Sequence, residues 1–332
     1  MRLKRAVCLL ANSPPVFIIM RRRVTLNKLL QLGETIRYDW RKHWRFYMLL
    51  IPLVAYYIVW AYGPLYGIQI AFKDFSPRLG IAGSNWVGMR NFMAFFNSAF
   101  AWRVIRNTFL INFWNLVFGF PLPIIFAIML NEIRRKNFKR AVQTITYMPY
   151  FISLVVICGM IVDFTASDGV LGEVSKMFGF APVNLLGDAK YFRTVYITSE
   201  IWQFLGWNSI LFVSALTGIN SELYEAATID GAGRLKQTWY VSLPGILPTI
   251  AILLVLRIGS MMSLGFEKII LLYSGLTYET ADVISSFVYR KGIIDGDFGY
   301  ATAVGLFNSV INFVLVIFAN KASKAMTDTS LW

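Results

Sequence analysis

Side chains able to bond or charge a ligand stand in this sequence where their surroundings are almost wholly apolar, and a polar residue in such a place needs a reason. Between residues 104 and 130, Thr108, Asn112, Asn115 and Gly119 recur at helical spacing along one face. Between 195 and 219, Ser199, Gln203, Gly206 and Ser214 do the same, with Trp202, Trp207 and Asn208 beside them; between 301 and 319 the set is Gly305, Asn308 and Asn312. Amides bond hydroxyls and indole rings stack on pyranose faces, so the stripes suit the path of a sugar. They suit helix-to-helix contact equally well, because small and amide residues let neighbouring helices approach and bond each other. Arg257 is the sharper case, standing well inside an apolar run where a charge costs at least ~2.5 kcal/mol. It either bonds carbonyls freed by a kink or offers a positive site to an acidic sugar such as a uronate. Glu200 and Glu267 are expected nearer the outer surface, which leaves Arg257 without an obvious partner.

Covalent chemistry has no such support. No nucleophile stands with a base, the single histidine, His43, argues against a zinc site, and Cys8 and Cys158 give no disulfide framework. No Gly-x-x-x-x-Gly-Lys-Ser/Thr run is present, so no nucleotide site is expected within the chain.

A second constellation is mechanical. From Glu225 to Pro244 the sequence is polar and mixed in charge between two long apolar segments, which predicts a loop outside the hydrocarbon made of two short helical pieces joined at Asp230-Gly231. Asn220 or Ser221 can cap the first piece; Gly231 and Gly233 allow a sharp bend; Leu243-Pro244 is expected to end the second. Ala226 and Ala227 after Glu225 leave one face of that helix thin enough for another protein's cleft to close on it.

The elements that must position these residues follow from composition. In 332 residues, 57% apolar and 16% aromatic, with mean hydropathy +0.56, there is too little charge to keep a soluble domain dissolved, and the chain reads as a polytopic membrane protein. A hydrocarbon core takes ~20 helical residues. Six segments meet that length: 46–71, 104–130, 142–162, 195–219, 246–272 and 301–319. Prolines at 52, 64, 121, 123 and 149 are expected to kink several of them. Residues 1–45 read as a basic cytoplasmic tail, with Met20 as a second candidate start, and 26–45 interleaves apolar and basic residues as a helix lying on the membrane surface does.

Lys and Arg outnumber Asp and Glu 32 to 18, but the basic clusters flank apolar spans, as topology control produces, and nucleic-acid binding is not expected. The first 45 residues hold eleven Lys and Arg and the link 131–140 holds five, whereas 163–192 holds only Lys176 and Lys190. This bias puts both termini and the Glu225 loop on the cytoplasmic side. The opposite loops, 73–103, 163–193 and 273–300, are rich in Gly, Asn, Pro and aromatics and suit short helices and turns that cap a passage or meet a soluble partner.

Glu225-Ala226-Ala227, then Gly231 after three residues, then Val241-Ser242-Leu243-Pro244 after nine more, resembles the EAA motif of ABC importer permeases, with Val241 where the family pattern has isoleucine. Further stretches, 63–74, 86–92, 222–233 and 300–307, resemble the polysaccharide and oligosaccharide branch of the type I sugar permeases, and the likeness covers about 26–332. The resemblance implies an all-α membrane protein: six transmembrane helices, an interfacial elbow helix within 1–45, a permease domain over 46–332, and a coupling loop at 220–245. In that family this loop is a coupling helix that docks in a cleft of an ATPase subunit, which implies coupling roles for Glu225, Ala226, Ala227, Asp230, Gly231, Gly233, Leu243 and Pro244. Also implied are a bacterial inner-membrane location and a second, similar permease in a heterodimer. Two ATPase subunits that bind ATP and Mg, an extracytoplasmic solute-binding protein, and a saccharide cargo, acidic ones such as alginate included, complete the set. An ion-coupled secondary transporter would need mid-span carboxylates, and Asp163, Glu200 and Glu267 are all expected toward span ends; within the ABC class a non-sugar solute stays open.

Overall fold

Residue 40 and residues 42–327 are described in the computed structural model of the chain. The basic tail and most of the elbow helix expected at 26–45 lie outside them. Contacts divide the chain into two units, Met1–Gly67 and Ile68–Trp332. What is described of the first is almost entirely helix α1, Lys42–Phe72, which runs on into the second. Its turns widen to π geometry over Tyr57–Tyr62, where Gly63 N–H reaches Ile58 O, and tighten to 3-10 geometry over Gly63–Phe72. The change falls at Pro64, which brings no N–H and whose ring would crowd the carbonyl four residues back in a regular helix.

The second unit continues with a short antiparallel pair, β1 Lys73–Asp74 and β2 Asn85–Trp86, then α2 Arg90–Phe96. Asn91 Nδ2 donates to the carbonyls of Ala71 at 2.9 Å and Lys73 at 3.1 Å, where α1 has run out of helical partners. Helix α3, Ala101–Gly119, passes through Phe120 into α4, Pro121–Glu132. Then come α5 Lys136–Tyr147, α6 Leu154–Thr165, α7 Val170–Met177 and α8 Ala189–Thr217. After the loop helix α9, Ser221–Ile229, follow α10 Arg234–Gly259, α11 Phe266–Leu272, α12 Ile284–Tyr289 and α13 Phe298–Thr327.

Among the described residues five helices are long and apolar enough to cross a membrane: Lys42–Phe72, Ala101–Glu132, Leu154–Met177, Arg234–Gly259 and Phe298–Ala325. The fourth expected span, 195–219, falls in the 29-residue α8 except for its last two residues; that helix is long enough but is not one of those five. Two expected spans are displaced. Residues 142–162 do not form one helix: Pro149 ends α5 in a 3-10 turn, Met148–Phe151, and Ser153 opens a new helix by accepting from Val156 N–H. Apolar helix therefore starts at Leu154, and α5 remains a separate amphipathic helix. Residues 246–272 are likewise broken between Gly259 and Phe266, where Asn312 of α13 holds the exposed backbone, accepting from Met262 N–H at 2.9 Å and donating to Ser263 Oγ at 2.8 Å.

Helix α8 packs against α3, α4, α5 and α10. At its loop end Phe212 and Leu216 meet Ile124 and Ala127 of α4 and Ile246 of α10; at its other end Phe192 and Tyr196 meet Ile111, Ile157 and Ile269. Gly206 belongs to this packing, since a Cβ there would lie 2.3 Å from the Thr146 carbonyl of α5.

The end of α8 away from the loop is tied by charge. Asp282, fully buried, accepts from Arg290 at 2.7 Å, Arg103 at 3.2 Å and Ser286 Oγ at 2.9 Å. Asn107 donates to the carbonyls of Glu279 and Asp282, both at 2.9 Å, and accepts from Arg193 at 2.7 Å, while Thr108 accepts from Ile284 N–H at 2.9 Å. Burial works against the charge on Arg290, but the hydrogen bonds with Asp282 and Tyr273 outweigh it and hold the guanidinium above its ordinary pKa. Removing one partner of a buried ion pair strands the other. Asp282→Ala is therefore expected to destabilise the protein by about 3 kcal/mol or more, seen as an unfolding temperature in detergent well below that of wild type, with Asp282→Asn in between; an unchanged unfolding temperature for the alanine variant would show that the knot is not a structural anchor.

Candidate functional site

Helix α9 starts at Asn220, whose Oδ1 accepts from Glu222 N–H at 3.1 Å while its Nδ2 donates to Glu222 Oε2 at 3.0 Å. It ends as helices do before a left-handed glycine: Gly231 has φ 75°, Ala232 N–H reaches Ala227 O at 2.8 Å and Gly231 N–H reaches Thr228 O at 3.0 Å. The four residues Asp230 to Gly233 then turn the chain into α10, with Gly233 at its N-terminus. Gln237 staples the two pieces, donating to Thr228 Oγ1 at 2.9 Å and Ala232 O at 3.0 Å, and the Tyr224 hydroxyl lies 2.9 Å from Ser242 Oγ. Arg234 reaches Glu132 at the end of α4 at 3.7 Å, an exposed pair worth little energy.

The expected stop at Leu243-Pro244 is not there. A π-helical turn over Thr238–Ser242, closed by Leu243 N–H to Thr238 O, makes room for Pro244, and the helix runs on from Arg234 to Gly259. Leu243 is half-buried and Pro244 exposed. Glu225, Ala226, Asp230, Gly231 and Gly233 are exposed and Ala227 is half-buried. Around them Leu223, Trp239 and Tyr240 are exposed, and Ile229 and Leu235 are 86% and 88% exposed, so this end of the chain presents an apolar surface with a polar core helix.

Two cavities, of about 430 and 270 Å³, lie between α3, α4, α8 and α10 and share Gly119, Trp207, Asn208 and Arg257 in their walls. The larger is otherwise mostly apolar, bounded by Phe120, Leu211, Leu253 and Leu256, with Ser260 as a further polar residue. The smaller is polar: Asn115 and Glu200 line it, and Tyr150 stacks on Trp207 with ring centroids 4.0 Å apart and planes 3° from parallel. Tyr150 lies in the 3-10 turn that Pro149 opens.

Of the residues expected to meet a ligand, Asn115, Trp207, Asn208 and Arg257 are thus brought together. Arg257 stands in the last turn of α10, where a helix end favours positive charge. Among the described residues no hydrogen bond or ion pair to its guanidinium is seen, and it lines both cavities. The remaining candidates lie elsewhere. Asn112 donates to Thr108 O on its own helix at 2.9 Å, Trp202 is exposed beside neither cavity, Asn308 has a buried Oδ1 without a partner and Asn312 holds the break after α10. Gln203 is buried behind the smaller cavity, against Lys268.

Lys268 is the residue that sequence reasoning missed. It is 4% exposed and donates to Glu200 Oε2 at 2.8 Å, with Gln203 Oε1 at 3.4 Å. Glu200, expected toward a span end, is the twelfth residue of the 29-residue α8. Its signal was a lysine inside an apolar segment that needed a buried carboxylate.

The family of the binding-protein-dependent transport system inner membrane component matches residues 119–328. Protein LplB of Bacillus subtilis (strain 168) is 41% identical over 287 residues, 86% of this chain and 90% of LplB. The polygalacturonan/rhamnogalacturonan transport system permease protein YteP of the same organism is 38% identical over 287 residues, 86% of this chain and 89% of YteP. Among solved structures, a chain of a bacterial ABC transporter involved in the import of the acidic polysaccharide alginate superposes with TM-score 0.82 at 41% identity, over 88% of this chain and 99% of that one. The same values of TM-score and identity hold, over 89% and 99%, for a bacterial alginate ABC transporter in complex with an alginate pentasaccharide-bound periplasmic protein. These matches lead to one assignment: the chain belongs to the family of inner membrane components of binding-protein-dependent transport systems.

Proposed function

We propose that the chain is one permease half of an ATP-driven importer whose cargo is an acidic oligo- or polysaccharide. The observation that carries the cargo reading is Arg257, without a partner among the described residues and shared by both cavities, beside the Asn115 and Asn208 amides and the Trp207–Tyr150 stack. A guanidinium takes a carboxylate in a bidentate pair, amides take hydroxyls, and an indole offers a face to a pyranose ring. The relatives named for polygalacturonan and for the acidic polysaccharide alginate support the same class of cargo. An extracytoplasmic binding protein delivers the sugar, a second similar permease completes the passage, and two ATPase subunits, which hold ATP and Mg, close on the α9 loop from the cytoplasm. Both termini then lie on the cytoplasmic side with that loop.

Glu200, a carboxylate midway along α8, favours an ion-coupled transporter as a second reading. Its pairing with Lys268 argues against it, since a carboxylate held by a lysine is not free to carry a proton or sodium ion. Vesicles of the complete complex, given ATP but no ion gradient, should accumulate cargo under the first reading and none under the second.

Within that system Arg257→Gln should lower uptake of an acidic oligosaccharide about tenfold or more while leaving a neutral one nearly unchanged; equal loss of both would remove Arg257 from cargo recognition. Gly231→Pro, which cannot take φ 75°, and Glu225→Lys should leave the protein inserted yet abolish transport and uncouple it from ATP hydrolysis. Normal cargo-stimulated ATPase activity in either variant would count against a coupling role for the loop.

A further inference from the structure

Lys268 and Glu200 set the charge of the smaller cavity. Glu200 lines it alongside Arg257, and a bare carboxylate there would cancel the guanidinium and repel a uronate. Lys268 does not line either cavity; it approaches from α11, almost fully buried, and neutralises Glu200 from behind at 2.8 Å, with Gln203 as its second oxygen partner and the Tyr196 ring 5.3 Å from its ammonium. The break between Gly259 and Phe266 is what allows this, since it lets the chain fold α11 back onto α8 rather than continue past it.

We infer that Lys268 is a specificity-determining residue that never touches cargo: by masking Glu200 it leaves Arg257 as the uncompensated charge of the cavity and so selects for anionic sugars. The inference rests on the saccharide-importer reading above. A carboxylate unmasked within several ångströms of a bound uronate weakens its binding by an order of magnitude at the effective dielectric of protein interiors. Ion pairs buried for stability alone would act on every cargo alike.

The test uses the complete complex in proteoliposomes and two cargos with one backbone: an oligouronate and the same chain with half of its carboxylates methyl-esterified. Lys268→Met should lower the ratio of oligouronate to half-ester uptake about tenfold, and the Glu200→Gln/Lys268→Met double variant, which removes both charges, should return it to within twofold of wild type. Glu200→Gln alone, which leaves Lys268 and Arg257 both unopposed, should raise the ratio severalfold, and it decides the matter if Lys268→Met fails to insert. A ratio unmoved in every variant that inserts, even with overall uptake reduced, overturns the assignment and leaves the pair a structural tie. If wild-type complex shows no ATP-dependent oligouronate uptake, the importer reading falls and takes this inference with it.

Discussion

An interrupted helix inside a lipid-facing protein leaves amide and carbonyl groups that water cannot reach, so something in the protein must take them. This constraint shapes the chain from Ile68 onward. Asn312 accepts the amide freed after α10, Thr108 accepts the amide that opens α12, Asn107 takes two carbonyls of the turn before it, and Asn91 takes two where α1 ends. Because each interruption is answered by an amide or hydroxyl from a different helix, the breaks bind the bundle together instead of loosening it. Asp282 does the same for charge, collecting two arginines from α3 and the end of α12 at a single carboxylate.

The same requirement explains what could be read from the residues and what could not. The bend of the loop was legible because its signals are local: an asparagine cap and a left-handed glycine each act within about one turn of helix. Asn115, Asn208 and Arg257 stood out among the candidates because each is polar in an apolar neighbourhood, and Trp207 because an indole stands beside such groups. Asn112 and Asn312 offend in the same way, yet one serves its own helix and the other a broken backbone 50 residues away. Nothing in spacing distinguishes an amide that faces a ligand from one that faces an orphaned amide, since that depends on where another helix stops.

Prolines misled in a related manner. Pro149 was expected to bend a helix and instead ends one, whereas Leu243-Pro244 was expected to end one and is absorbed by a π-helical turn. Local preference states that a regular turn is impossible at each site; whether the chain widens, tightens or stops is decided by neighbours. At Pro149 the stop is fixed by Ser153 and by the approach of α8 at Gly206. Lys268 was overlooked because the apolar run 246–272 reads as one span, and its partner Glu200 is visible only once that span is known to break.

The absorbed proline at 244 has a geometric corollary. The helix continues from Arg234 to Gly259 through the π-helical turn at Thr238–Ser242 and past Pro248, so the residue beside the apolar loop surface and the arginine in the cavity wall stand on one rod of helix, about 35 Å apart along it. A tilt of ten degrees at one end of such a rod displaces the other by about 6 Å, more than the length of a guanidinium-to-carboxylate contact. The loop surface and the cavity wall are thus joined through a single continuous element, so that a displacement at either end is carried toward the other.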